Sequence, residues 1–221
     1  LAKREVDRGV RDVAVDSTYA TPIATQPLSL GADFVVHSLT KYICGHGDAM
    51  GGAVIGRKTD LASLNLEASV HFGGILSPFN AWLIMRGAAT LPIRMRAHES
   101  AAMKVAAFLN QHPAVSRVFY PGLASHPQHE LARRQMKNFS GMMTFQTKRP
   151  GPEIAARMVD ELEIIHYAVS LGHHRSLIYW IGTDDIQGST FRHDAAQLKR
   201  YRDYAGDGVF RLSVGIESPD D

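Results

Sequence analysis

Lys41 stands just past an apolar run, Phe34-Val35-Val36, with two hydroxyl residues, Ser38 and Thr40, directly ahead of it. Gly45, Gly47, Gly51 and Gly52 follow closely. An amine is a nucleophile only when unprotonated, and burial favours the neutral form because the charged form loses its hydration. A lysine at the carboxyl end of an apolar strand therefore suits imine formation with an aldehyde. Ligands of α/β sheets bind beyond such strand ends. A hydroxyl-bearing turn followed by glycines allows close backbone approach and makes a seat for a phosphate. No Gly-Lys-Ser/Thr ending is present, so a nucleotide P-loop is not supported. The competing reading of Lys41 is a solvated lysine after a strand.

Two further residues could join this chemistry. Asp16 closes the preceding apolar segment, Val13-Ala14-Val15. If both strands lie in one parallel sheet, Asp16 and Lys41 open onto the same edge, where a carboxylate could keep a pyridine nitrogen protonated. A turn or helix-capping aspartate is the alternative. Arg211 interrupts the apolar pattern Val209-Phe210-Arg211-Leu212-Ser213-Val214. An unpaired buried guanidinium is costly. Arg211 could hold a substrate carboxylate through paired hydrogen bonds, or complete a structural salt bridge. His46, His71, His173 and His174 show no metal-ligand spacing, and no metal site is expected.

The elements that must position these residues follow from patterning. Residues 1–9 read as helix-compatible and 10–15 as a short strand, followed by a loop over 17–27. Strands are expected at 34–36 and 53–55, with helices at 59–68, 78–86 and 91–110. Beyond Pro113, strands are expected at 115–120, 141–147, 164–170, 176–181 and 209–214. Helices are expected at 128–136, 152–162 and 195–205. The domain boundary is placed in the long helix near residue 92, giving domains 1–92 and 93–221. The second reads as α+β.

Bulk properties remove other classes. With 45% hydrophobic residues a buried core is expected rather than disorder. A net charge of +2 without basic runs points to neither nucleic acid nor membrane surface. No apolar run is long enough to span a bilayer. The one cysteine, Cys44, excludes an internal disulfide and fits a reducing compartment, so a cytoplasmic location is expected. The chain opens without Met and stops soon after a strand, which reads as missing sequence at both ends.

The segments Val15-Asp16-Ser17-Thr18-Tyr19-Ala20-Thr21-Pro22 and His37-Ser38-Leu39-Thr40-Lys41-Tyr42-Ile43 resemble the signature of the Cys/Met-metabolism family of pyridoxal-phosphate enzymes. The likeness continues through Leu76-Ser77-Pro78, Met85-Arg86-Gly87, Thr90-Leu91, Arg94-Met95 and Tyr120-Pro121-Gly122-Leu123. It runs on in Ala168-Val169-Ser170-Leu171-Gly172 and Arg211-Leu212-Ser213-Val214-Gly215-Ile216-Glu217. The resemblance implies an α/β, aspartate-aminotransferase-like (fold type I) architecture: a partial cofactor domain with a mostly parallel sheet, then a C-terminal α+β domain. It implies pyridoxal 5'-phosphate in Schiff-base linkage to Lys41, Asp16 at the ring nitrogen, and Ser38 and Thr40 at the phosphate, with Thr18 among the cofactor-binding residues. Ser170 and Arg211 would meet the carboxylate of a small amino-acid substrate. Relatives of this type are usually homotetramers, dimers of dimers.

The resemblance has departures. Against the resemblance, the front of the family's cofactor domain and its closing helix read as missing from this sequence. Gly172-His173-His174-Arg175-Ser176 lacks the family's usual acidic residue, and 179–193 does not follow the usual pattern. Where cystathionine γ-synthases and many cystathionine γ-lyases carry an acid before the serine, this chain has Val169. That apolar residue resembles methionine γ-lyase and implies a carbon–sulfur lyase acting on methionine or a close analogue. Cystathionine β- or γ-lyase, cystathionine γ-synthase and O-acylhomoserine sulfhydrylase stay open, as does a non-catalytic fragment serving assembly.

Overall fold

The structure is a computed structural model that describes residues 12–190 and 192–221. The chain divides into two compact units. One holds the described residues through Met95 together with Gln135–Asn138. The other holds Arg96–Arg134 and Phe139–Asp221.

In the first unit, β1 (Ala14–Asp16) leads through a short helix α1 (Thr21–Ala24) and a tight turn at Pro27–Leu30 to β2 (Phe34–Ser38). β3 is Gly52–Gly56, followed by α2 (Lys58–Asn65), a wider helical turn at Leu66–His71, and α3 (Pro78–Ala89). β1 and β2 pair in parallel, with Asp16 opposite Val36, whereas β3 runs antiparallel to β2. Val35 and His37 alternate on the buried face of β2, the period-two pattern of a strand covered on one side. α3 starts at Pro78, whose missing N–H is no loss in a first helical turn. Ser77 caps it by accepting the N–H of Asn80 at 3.2 Å. α3 packs Ile84 against Cys44 and Ala49, with Leu39, Ile43 and Leu83 around them. That small core lies directly under the Lys41 turn.

α4 (Leu91–Gln111) continues into the second unit, where β4 (Val115–Phe119), α5 (His129–Gln135), β5 (Met142–Thr147) and α6 (Gly151–Glu161) follow. β6 (His166–Tyr167), β7 (Leu177–Gly182), α7 (Thr183–Gln187), α8 (Ala195–Ala205) and β8 (Gly208–Ser213) complete the chain. The sheet order is β4-β5-β8-β7-β6, with β8 central and antiparallel to both neighbours. Ala101, Ala102 and Ala106 give α4 a narrow face that lies on Phe145, Ile178, Phe210 and Leu212 of the sheet. The capping box of Asp194 and Gln197 starts α8.

The elements depart from sequence expectation in definable ways. The strand expected over 164–170 pairs only at His166 and Tyr167; Ile164 and Val169 are exposed and leave the ladder. The loop expected over 17–27 contains α1, and the polar stretch after Ile181 contains α7. The helix expected at 59–68 runs on as the wider turn to His71. The helix expected over 1–9 and the first residues of the strand expected at 10–15 lie outside the described residues. No helix among the described residues is long and apolar enough to cross a membrane.

Candidate active site

Lys41 is half-buried in a turn at the carboxyl end of β2. Three backbone bonds shape that turn: Lys41 N–H to Ser38 O at 3.2 Å, Cys44 N–H to Leu39 O at 2.9 Å, and Gly45 N–H to Lys41 O at 2.7 Å. Gly45 sits at φ 76°, a conformation that favours glycine. The turn is also tied to the strand that returns. Leu39 N–H donates to Gly51 O at 2.9 Å, and the Thr40 hydroxyl accepts Gly51 N–H at 3.0 Å.

Asp16 lies on the adjacent parallel strand. Its Oδ1 accepts the N–H of Thr18 at 2.9 Å, folding the chain over the strand end. Thr18 reaches across, its hydroxyl accepting Ser38 N–H at 2.8 Å, and Ser17 N–H extends the pairing to Val36 O at 2.9 Å. Asp16, Thr18, Ser38, Thr40 and Lys41 are thus brought together at one sheet edge of the first unit. Asp16 is solvent-exposed, and no described residue bonds the Ser38 hydroxyl. Thr18 and Thr40 already hold the turn together while keeping their hydroxyls at the edge.

His37, which sequence reading passed over, is buried at 4% exposure beside this edge. Burial pushes its ring below the ordinary 6.5, while the Asp16 carboxylate and a hydrogen bond to the Ser17 backbone pull it back up. Alternation with Val35 was the signal that could have placed it inward. Thr21 is a second omission: it is fully buried at φ 61°, an unusual conformation for a β-branched residue, just before Pro22.

Val169, Ser170 and Arg211 belong to the second unit. The Arg211 Nη2 donates to the Val169 carbonyl, and Gly172 N–H donates to the Ser213 hydroxyl at 2.9 Å. The 169–172 loop is therefore tethered to β8 at both ends. Among the described residues no carboxylate forms an ion pair with Arg211. The salt-bridge alternative thus has no partner there, and the guanidinium keeps donors for an incoming anion. Val169 and Ser170 are exposed. The nearby carboxylate of Glu217 is occupied: it accepts Ser176 N–H at 2.6 Å and the Ser176 hydroxyl at 3.0 Å.

The donor set suits pyridoxal phosphate: an amine for the aldehyde, a carboxylate for the ring nitrogen, and hydroxyls with a glycine-lined return for the phosphate. A cleft of about 390 Å³ contains Asp16, Ser17 and Tyr19 but not Lys41, so it is not the seat that this donor set defines.

Residues 3–221 match the family model described as Cys/Met metabolism PLP-dependent enzyme. The chain belongs to that family. It is 47% identical over 211 residues to the canavanine γ-lyase of Pseudomonas canavaninivorans, covering 95% of this chain and 50% of that protein. To the L-methionine γ-lyase of Fusobacterium nucleatum subsp. polymorphum it is 43% identical, covering 95% of this chain and 51% of that one. Its structure is similar to cystathionine γ-synthase from Xanthomonas oryzae pv. oryzae in complex with cystathionine, with a TM-score of 0.83 and 39% identity. That likeness covers 98% of this chain and 54% of the other. The fold-type-I expectation therefore holds. The chain spans about half the length of the curated relatives it matches.

Proposed function

We propose that this chain carries the cofactor lysine and substrate-carboxylate site of a pyridoxal-phosphate-dependent carbon–sulfur lyase. The reaction favoured is γ-elimination of methionine to a thiol, ammonia and a 2-oxo acid. The observation that carries the reading is the parallel β1–β2 edge that gathers Asp16, Ser38 and Lys41. Residues 1–92 would be the remaining part of the cofactor domain and 93–221 the smaller domain.

Lys41 would hold the cofactor covalently, Asp16 would keep its ring nitrogen protonated, and Ser38, Thr40 and Thr18 would face its phosphate. Bound there, the cofactor supplies an electron sink for the carbon that loses its proton. Lys41 would be the base that takes the Cα proton and then a Cβ proton. Ser170 and Arg211 would orient the substrate carboxylate. Val169 would present an apolar surface to the distal part of the substrate, which suits a thioether better than an ammonium group.

Identity to canavanine γ-lyases, 47% in one case, favours canavanine as a second substrate candidate. Product analysis with methionine, canavanine, cystathionine and O-acetylhomoserine in parallel separates the candidates. Methanethiol from methionine supports the first reading. Its absence alongside a guanidine-containing product from canavanine, or cleavage of cystathionine, rejects it.

A homotetrameric, cytoplasmic enzyme is part of the proposal. The tetramer draws support from the apolar surface of the first unit, where Phe72, Ile75, Phe79 and Met85 are each at least 65% exposed.

A further inference from the structure

Arg94 belongs to a motif that the chemistry above leaves unused. Its side chain is buried at 6% exposure, yet among the described residues it forms no ion pair with a carboxylate. Its partners are almost all backbone. Nη1 donates to Tyr42 O at 2.7 Å, and Nη2 donates to Ile43 O at 3.2 Å and Gly87 O at 2.7 Å. Nε donates to the Thr90 hydroxyl at 3.0 Å. Tyr42 and Ile43 are the two residues directly after Lys41.

Two glycines make room for this arrangement. A Cβ at Gly45 would lie 2.2 Å from Arg94 Nη1, and one at Gly87 would lie 2.0 Å from Cys44 O. The guanidinium thus reaches under the turn, and α3 comes up against it, because both positions lack a side chain. A planar fork can serve several carbonyls at once, while an ammonium is a compact point charge that cannot span them. A buried cation is retained at a desolvation cost. Here the gain is directional bonding of the Tyr42 and Ile43 carbonyls.

We propose that Arg94 is a positioning residue for the Schiff-base lysine: its guanidinium pins the Tyr42 and Ile43 carbonyls to the end of α3 and so fixes the turn that aims Lys41. The proposal rests on Lys41 being the residue that holds the cofactor. It concerns the backbone of the turn and assigns Arg94 no contact with substrate or cofactor.

The test compares wild type with Arg94→Lys and Arg94→Ala in two measurements. The first is amide hydrogen exchange without cofactor. Loss of charge-assisted hydrogen bonds is expected to speed exchange at Cys44 and Gly45 about tenfold or more, with Val36 and Val54 in β2 and β3 changing less than about twofold. The second is borohydride trapping of pyridoxal phosphate on Lys41 at limiting cofactor, read by peptide mass. Trapping is expected to fall about tenfold in both variants and to recover partly in Arg94→Ala with added methylguanidine. The proposal is overturned if Arg94→Lys keeps both properties within about twofold of wild type. It is equally overturned if protection falls uniformly across β1 to β3, since Arg94 would then serve general stability. Wild-type protein that never traps cofactor at Lys41 sinks the cofactor reading, and the exchange measurement still decides whether Arg94 pins the turn.

Discussion

The side chains at the β1–β2 edge differ in what a change would cost. His37 is held below its ordinary 6.5, chiefly by burial, so the unfolded chain takes up this proton first as pH falls. The stability linked to His37 is therefore present above about pH 6.5 and declines as the pH drops below it. Denaturant midpoints measured from about pH 7.5 to about pH 5 should fall more steeply for wild type than for His37→Gln. Identical slopes would show that burial of this ring is not linked to folding. In the second unit, Val169 would under the proposed function bear on specificity rather than stability. Val169→Glu would place an acid beside the proposed carboxylate site, and kcat/KM for methionine should drop about tenfold or more while cystathionine turnover improves relative to it. Equal loss on both substrates would show that the position does not choose between them.

Packing of whole elements sets the next scale. α3 can approach the Lys41 turn only because Gly87 has no side chain, and the atom a Cβ would meet is backbone oxygen of Cys44. Gly87→Ala should destabilise the protein by about 1–3 kcal/mol, seen as a lower denaturant midpoint with an unchanged slope. A neutral result would mean that α3 slides without penalty. In the second unit Phe210 is fully buried on the central strand, stacked on Phe145 at 5.2 Å. Phe210→Ala should cost about 3–5 kcal/mol by the same measurement.

Much of this arrangement could be read from residue order. The turn was legible because a lysine, two hydroxyls and several glycines after an apolar run are chemically unusual together. The long helix α4 followed from apolar residues recurring at helical spacing. Other features were hidden because they arise from partners rather than types. β6 is short because β7 pairs with only two of its residues, which no propensity records. The place of Arg94 depends on carbonyl groups common to every residue, so its sequence position pointed to no role. His37 next to Ser38 looked polar, and its alternation with Val35, which puts both on the buried face of β2, was the cue left unread.

For the whole molecule, the apolar surface on the first unit and the half-length coverage of relatives bear on assembly and activity. Phe79→Lys combined with Met85→Lys, both at exposed positions, should lower the sedimentation mass of the protein without changing its helical circular dichroism. An unchanged mass would show that this surface does not hold copies of the chain together. The most direct test of the central claim is borohydride reduction of the protein incubated with pyridoxal phosphate, followed by peptide mass mapping. A Schiff-base role for Lys41 requires a reduced pyridoxyl adduct on that residue, lost in Lys41→Ala. An adduct spread over surface lysines, or retained in Lys41→Ala, would contradict it.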